Sequence, residues 1–506
     1  MAPGLIAEQI AVLGEGDMPR PPKPGKSFGQ TNGFSEPVVN GLGAADGALF
    51  PTALTTAAND EVHDMVCIGF GPAGVGIAVA LHDMHEMEEG TRPAPKVRFL
   101  ERQNAFFWHA GMLLPGAKMQ ISFIKDLATL RDPCSYFTFL NYLKEHERLA
   151  HFTNLSTFLP SRLEFEDYMR WVADHFSDVV DYSQSVERIR PFKTASSQLY
   201  DCLEVKTRNS QTGELTTRLS KNVVVAVGGK ANKPPMFQQA HANILHTSEY
   251  QVRIGNALPD SDKAYSVAVV GSGQSAAEVF NDLHARYPNA STKLIMRDTA
   301  MRPSDDSPFV NEIFNPEAVD SFYHQPDGIR SETLKKNKAT NYSVVRLELL
   351  EHIYEALYMQ CINEPDKTKW QHQILSSREI VDVRGDTKTG KINLVVSHLT
   401  GSGWSNKTTE AFDAVILATG YRRDAHIDML DECQGINGST DGSWITARDY
   451  SLKLDRSKVQ KDVGIWLQGC NEQSHGLADS LLSIVATRSG ELVQSMFGYE
   501  LHVDEA

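Results

Sequence analysis

The chain has 506 residues, 41% hydrophobic and 22% charged, the composition of a soluble globular protein of roughly three domains. A formal net charge of −15 argues against a nucleic-acid partner, and the absence of any 18-residue apolar run excludes a transmembrane helix. The six cysteines form no CxxC pair and suit reduced thiols in the cytoplasm better than a disulfide framework.

Residues 1–60 are rich in Gly, Pro, Ala and Asn with no sustained period, so they are expected to form a disordered tail. Order is expected from Val62, with the apolar run 65–68 as a first strand and Cys67 as a small buried hydrophobe within it. This strand feeds Gly69-Phe-Gly71-Pro-Ala-Gly74 and a helix over 73–81, with Pro72 in its first turn. A polar insertion at 86–95 precedes a second strand over 97–100 that ends at Glu101. Tyr168 and Trp171 are read as core, and 222–229 as a buried strand ending in glycines.

A second strand–turn–helix unit follows. Residues 266–270 lead into Gly271-Ser-Gly273-Gln-Ser-Ala276, and the next strand, 292–296, ends at Arg297. Beyond 302 the pattern turns to polar loops and helices, the clearest helix being 342–358. Buried strands are expected at 411–421 and 464–469, before a C-terminal helix.

Glycines at this spacing permit a tight turn and close backbone approach to a pyrophosphate resting on a helix N-terminus. One such fingerprint is weak, whereas two in strand–turn–helix context point to two dinucleotides, a flavin and a nicotinamide. Gly69, Gly71 and Gly74 frame the first site. Glu101 lies about 30 residues beyond, against the usual ~20, and the insertion accounts for the excess; its carboxylate suits ribose hydroxyls. In the second unit Arg297 occupies the equivalent strand end, where a guanidinium suits the 2′-phosphate of NADP. Ser272, Gln274 and Ser275 add side-chain donors in the turn around Gly273. Read alone, Glu101 is a solvated strand-end acid and Arg297 a surface charge.

The nested order of the two units, with Ala418-Thr-Gly-Tyr421 closing the insertion, resembles the flavin-dependent N-hydroxylating monooxygenases. Three long strings, 116–133, 301–316 and 338–343, resemble the fungal siderophore-pathway L-ornithine N(5)-monooxygenases, and the likeness runs from about 62 to 498. It implies an α/β protein of two nested Rossmann-like dinucleotide-binding domains plus a smaller, mainly helical substrate-binding region. The expected boundaries are 61–248 and 412–506 for the FAD domain and 249–411 for the NADPH domain, with 300–375 contributing the ornithine-binding helices.

The resemblance also assigns residues. Glu101, Arg102, Gln103, Asn104, Ala105, Phe106, Phe107, Trp108 and His109 would contact FAD, with Met119 and Gln120 at the flavin ring and Val186 on the adenine side. Leu477, Ala478 and Asp479 would close over the flavin, with Ala478 standing where the family carries serine. Ser272–Ser275, Arg297, Asn341, Tyr342 and Ser343 would hold NADP. Lys125, Asn311, Glu312, Ile313, Phe314, Asn341 and Ser480 would hold L-ornithine, with the Lys125 ammonium on the α-carboxylate. Outside these strings, Lys125 reads as a solvated lysine, Asn311 as a turn residue, Ser480 as a cap, and Asn341 as the N-cap of the helix after it.

The implied reaction is hydroxylation of the ornithine side-chain amine by O₂ through a flavin C4a-hydroperoxide, with NADPH as reductant, opening hydroxamate siderophore biosynthesis. No metal, membrane or nucleic acid is implied, and a homotetramer is. A lysine N(6)-hydroxylase, about one methylene deeper in its pocket, is the near alternative, and a non-catalytic FAD/NADP redox sensor the distant one. A disulfide reductase would need the missing cysteine pair.

Overall fold

The computed structural model describes residues 50–499 apart from 60, 89–90, 239–240, 387 and 401–402, and not the side chains of 400 and 403–406. Its first sheet is built around Val62–Ile68, flanked in parallel by Val97–Leu100 and Leu215–Val225. Val180–Asp181 extends one edge, and Gly464–Leu467 pairs with the far side of Leu215–Val225. Met65 to Ile68 are all buried, as expected for a parallel strand covered on both faces. The long strand Leu215–Val225 serves two partners. Its first half pairs antiparallel with Cys202–Asn209, which pairs in turn with Gln184–Phe192.

Helix Pro72–Met87 packs against the C-terminal helix Val485–Phe497. The approach is close because the sequence supplies no bulk there: a β-carbon on Gly76 would stand 2.9 Å from Ser489 Oγ. Pro72 begins the helix, as expected.

The second sheet is wholly parallel, in the order His372–Leu375, Ser291–Ile295, Ser266–Val270, Ala414–Leu417, Ile244–His246. The chain enters it at Ile244, leaves it at Leu417, and rejoins the first sheet at Gly464, so one fold is nested inside the other. The expected boundaries at 248/249 and 411/412 cut this sheet and are corrected here. Ile244–His246 and Ala414–Leu417 belong to the second fold because their backbone pairing is with each other and with Ser266–Val270. An antiparallel meander (Arg378–Gly385, Ile392–Thr400, Gly403–Phe412) covers this sheet by packing Ile380, Leu394 and Val396 against Ala268, Ile295 and Val415.

Three other expectations change. The tail expected over 1–60 lies outside the described residues as far as 49, but several residues of 50–57 pack against the first fold. Phe50 stacks on Tyr136 at 4.2 Å, Ala53 N–H donates to His82 Nδ1, and Leu54 and Ala57 are buried. Order therefore begins at least twelve residues before Val62, held by long-range aromatic contacts. The helix expected at 342–358 runs instead over Leu347–Asn363, because Val344–Val345 pairs as a short strand with Arg302–Pro303. Finally, Asn341 is not an N-cap: it is the last residue of the helix Asp327–Asn341, whose low apolar content hid it. Tyr168 is fully buried in the core and Trp171 packs against that core, as expected.

Candidate active site

At the first turn the three glycines do different work. Gly69 has φ +98°, and a β-carbon there would lie 2.5 Å from the Ala226 carbonyl; one on Gly74 would lie 2.3 Å from the Gly69 carbonyl. Gly71 instead meets no described atom within 4 Å. The turn is thus closed by backbone beneath and open above, the shape of a phosphate cradle at the N-terminus of Pro72–Met87. Glu101 is buried at the end of Val97–Leu100 and accepts from the Phe70 and Gln103 backbone N–H groups, each at 2.9 Å. Two N–H groups leave a carboxylate free lone pairs, so a ribose can still be received. The fit to FAD is therefore good.

The loop after Glu101 is shared by both folds. Arg102, Gln103 and Asn104 are exposed, Ala105, Phe107 and Trp108 are half-buried, and Phe106 is buried in the first fold's core. Met112 and Leu114 bury themselves in the core of the second fold, and Met119 returns to the first. A β-carbon on Gly111 would collide with the Ser248 backbone, so loop and second fold touch directly. Gln120, next to Met119, is exposed. Val186 lies at a bulge of Gln184–Phe192, and that strand is tied to the Glu101 loop by Gln184 N–H donating to the Glu101 carbonyl at 2.7 Å.

His109 takes a left-handed conformation (φ +48°) at the bend of this loop, with its ring centroid 6.0 Å from that of Tyr421. The residue keeps exposed surface at this bend although protein atoms surround most of its ring. Desolvation, reinforced by Arg162 and Arg423, pushes its imidazole down to about 4, so it is neutral at pH 7.

The second turn follows the first in outline. Gly271 (φ +145°) has the Ala418 carbonyl 2.5 Å from its β-carbon position, and Gly273 caps the helix Gln274–Arg286. Ala276 replaces the third glycine and is buried. Ser275 is half-buried in the first turn of this helix. The side chains of two expected donors are engaged within the protein, which corrects part of that expectation. Ser272 Oγ donates to Asp298 at 2.9 Å, and the Gln274 amide is spent on Glu278 and on the Arg346 N–H. Arg297, two residues beyond Ser291–Ile295, is 77% exposed and 3.8 Å from Glu379, a loose pairing that leaves its guanidinium available.

Four stretches distant in sequence meet beside the second turn. Lys125 Nζ donates to Asn315 Oδ1 at 3.3 Å, and burial lowers its ammonium from the ordinary value while Glu317 opposes the shift. The turn Glu312–Phe314 touches Leu477–Ser480, and Phe314 packs against Phe322, Leu334 and Leu477. Within that turn Glu312 is exposed and Ile313 half-buried, and Asn311 before it donates to the Asp306 carbonyl at 2.9 Å. Tyr342 donates to Glu472 at 2.5 Å, and the helix that ends just before it touches Leu477–Ser480; burial, with Glu472, pushes the Tyr342 phenol up to about 12. Ser343 is left-handed and lies over Gly273. Leu477, Ala478 and Asp479 are buried, and Asp479 accepts from the Asn471 N–H at 2.6 Å and pairs with Arg488.

Sequence reasoning missed Asn315, Glu472, Glu278, Arg162 and Arg346. Asn315 sits inside a string already singled out, but the others carry no local signal, because each acquires its role from a partner far along the chain.

A family model described as L-lysine 6-monooxygenase/L-ornithine 5-monooxygenase matches residues 61–423. The chain is 53% identical over 455 residues to the L-ornithine N(5)-monooxygenase of Emericella nidulans, covering 87% of this chain and 91% of that one. Among solved structures it resembles the ornithine hydroxylase of Pseudomonas aeruginosa, with TM-score 0.78 and 36% identity over 87% of this chain and all of that one. It is also similar to the ornithine N-hydroxylase of Kutzneria sp. 744 solved with reduced FAD, NADP⁺ and L-ornithine, with TM-score 0.77 and 33% identity over 86% and 99% of the two chains.

Proposed function

The chain belongs to the L-lysine 6-monooxygenase/L-ornithine 5-monooxygenase family, and from that premise we propose how its residues divide the work. The activity is FAD- and NADPH-dependent hydroxylation of the side-chain amine of L-ornithine by O₂, giving N(5)-hydroxy-L-ornithine. Ornithine is favoured over lysine by relatives at 53% identity that bear that substrate's name. The same relatives favour an enzyme over a redox sensor.

FAD, when bound, accepts electrons from the nicotinamide and activates oxygen. The chain's own residues supply position, charge and dryness. The Gly69–Gly74 turn holds the flavin's pyrophosphate and Glu101 its ribose, while Arg102 to His109, Met119, Gln120 and Val186 line the rest. Gly273 and Ser275 present backbone to the second pyrophosphate, and Arg297 takes the 2′-phosphate. Lys125 neutralises the substrate α-carboxylate, and Asn311 to Phe314, Asn341 and Ser480 orient the α-ammonium and stem. This leaves the side-chain amine pointing at the flavin, where it must arrive unprotonated against an ordinary amine value near ~10.4. The observation that carries this division is the meeting of Lys125, the 312–315 turn and Leu477–Ser480 with the helix that leads into Ser343, which lies over the second turn. Hydroxylamine formation from ornithine, with lysine a poor substitute, tests it.

A homotetramer and a cytoplasmic setting are part of the same reading, with siderophore assembly as the destination of the product. All six cysteines are free, and no helix among the described residues is long and apolar enough to cross a membrane. Self-association is supported by the helix Leu347–Asn363, which exposes Leu347, Tyr354, Tyr358 and Ile362 along one stripe. Light scattering that gives a monomer would remove the tetramer from this reading.

A further inference from the structure

The half-buried Gln274 side chain spends both ends of its amide on protein partners. Its Oε1 accepts from the Arg346 N–H at 2.9 Å and its Nε2 donates to Glu278 Oε1 at 2.9 Å. Each of these partners reaches on to the loop that carries Met119. The Arg346 guanidinium donates to the Met119 carbonyl at 3.3 Å, braced from behind by Glu348. Glu278 receives both terminal nitrogens of Arg162, at 2.9 and 2.8 Å, and Arg162 also donates to the Met112 carbonyl at 2.7 Å. Arg162 opens the helix Arg162–Asp174 of the first fold, while Glu278 lies on Gln274–Arg286 of the second. Two tethers therefore leave one amide, cross between the folds, and grip the same loop at both ends.

We infer that Gln274, Glu278, Arg162 and Arg346 are positioning residues that set the distance between the nicotinamide turn and the flavin loop, and that the Gln274 side chain is not a ligand of NADP. The inference rests on the reading that Gly271–Ser275 receives the nicotinamide dinucleotide and that Met119 lies at the flavin ring. The physical reason is that hydride transfer needs its reacting atoms about 3–3.5 Å apart, and displacement by ~1 Å can cost on the order of a hundredfold in rate. The two dinucleotides sit on separate sheets, so something must fix one sheet against the other. Backbone contacts at Gly111 and Ser248 bring the folds together, and directional bonds from charged groups define their register. The side chains of Glu278 and Arg162 are largely withdrawn from water, so their pairing is little screened.

The test separates nucleotide binding from hydride transfer in the holoenzyme, using Gln274→Met, Arg346→Met, Arg346→Lys and the double methionine variant. NADP⁺ is titrated onto the oxidised enzyme, and flavin reduction is followed without oxygen at saturating NADPH. The NADP⁺ Kd is expected to stay within threefold of native, while the saturating reduction rate falls at least tenfold in both methionine variants. The double variant is expected to be no slower than the slower single, and Arg346→Lys to recover most of the rate by restoring a donor to the Met119 carbonyl. If Gln274→Met fails to retain FAD, the Arg346 pair carries the test alone. A raised Kd with a native saturating rate would make Gln274 a direct ligand and overturn the inference, and so would no change in either quantity. A native enzyme that NADPH cannot reduce would instead overturn the functional reading beneath it.

Discussion

The Cα of Ser343 lies 3.3 Å from the position a β-carbon on Gly273 would take, so a segment far downstream roofs the second nucleotide turn. The first turn has no such roof over Gly71, which meets no described atom within 4 Å. This asymmetry separates glycines needed by the fold from one needed by the ligand. Gly71→Ala is expected to fold with native helix content, since Gly71 has φ −79° and a methyl group there touches no described protein atom. It should nevertheless lose FAD on purification, and added FAD should raise its Tm less than it raises that of the native protein. Gly69→Ala should fail to fold, with strained φ and a carbonyl at 2.5 Å. Equal FAD retention by Gly71→Ala and the native protein would count against the cradle.

Arg297 is expected to decide between the two nicotinamide cofactors. Its exposed guanidinium at the strand end is held by Glu379 at a loose 3.8 Å, a pairing of little energetic consequence at such exposure. Arg297→Ala should raise the KM for NADPH about tenfold, roughly 1.4 kcal/mol of binding, and leave that for NADH almost unchanged. Steady-state kinetics with both cofactors make the comparison, and retained selectivity would show that another group reads the 2′-phosphate.

Lys125→Ala is expected to bind FAD and be reduced by NADPH normally, yet to bind ornithine at least tenfold more weakly. Removing the ammonium leaves a carboxylate unpaired in a partly desolvated site, a loss of about 2–5 kcal/mol. Asn315, which Lys125 contacts at 3.3 Å, offers no positive charge in exchange. The measurement is hydroxylated product per NADPH consumed across ornithine concentrations, with the shortfall appearing as hydrogen peroxide. An unchanged ornithine KM with full coupling would take Lys125 out of the site.

Much of this site is local in sequence, and the rest is not. The turns Gly69–Gly74 and Gly271–Ala276 announce themselves by glycine spacing between an apolar strand and a helix, although the carbonyls that exclude a side chain at Gly69 and Gly271, those of Ala226 and Ala418, lie far along the chain. Glu101 and Arg297 follow from the strands they terminate. The start of the helix at Leu347 was hidden because apolar periodicity continues through Val344 and Val345, which pair with Arg302 and Pro303 instead. Asn341 reads as the N-cap of the helix after it, and only the folded structure shows that it ends one helix without beginning the next. The membership of Ile244–His246 in the second sheet is invisible locally, since any short apolar strand fits either sheet.

Acid should weaken the fold through its buried histidines. His284 and His372 stack at 3.6 Å in contact with Thr292, and burial pushes them down to about 3 and about 4. The unfolded chain, with histidines near ~6.5, binds protons that the folded chain refuses. Stability from this pair is therefore complete above about pH 6.5, is lost progressively as pH falls below that, and stops falling once pH has passed through 4 toward 3. Tm should be flat from pH 7 to 8 and fall below 6.5. His284→Phe keeps a ring on His372 and removes one titrating group, so its acid limb should be shallower. An identical slope in that variant would place the acid sensitivity elsewhere.

The most direct test of the account is the stoichiometry of turnover with the purified, FAD-loaded protein. NADPH oxidation, oxygen uptake and hydroxylamine product are measured with L-ornithine, with L-lysine and with neither. The account predicts one hydroxylamine per NADPH and per O₂ with ornithine, little or none with lysine, and only slow oxidation ending in hydrogen peroxide without an amine. NADPH oxidation that yields no N-hydroxylated ornithine, or yields more product from lysine, would contradict it.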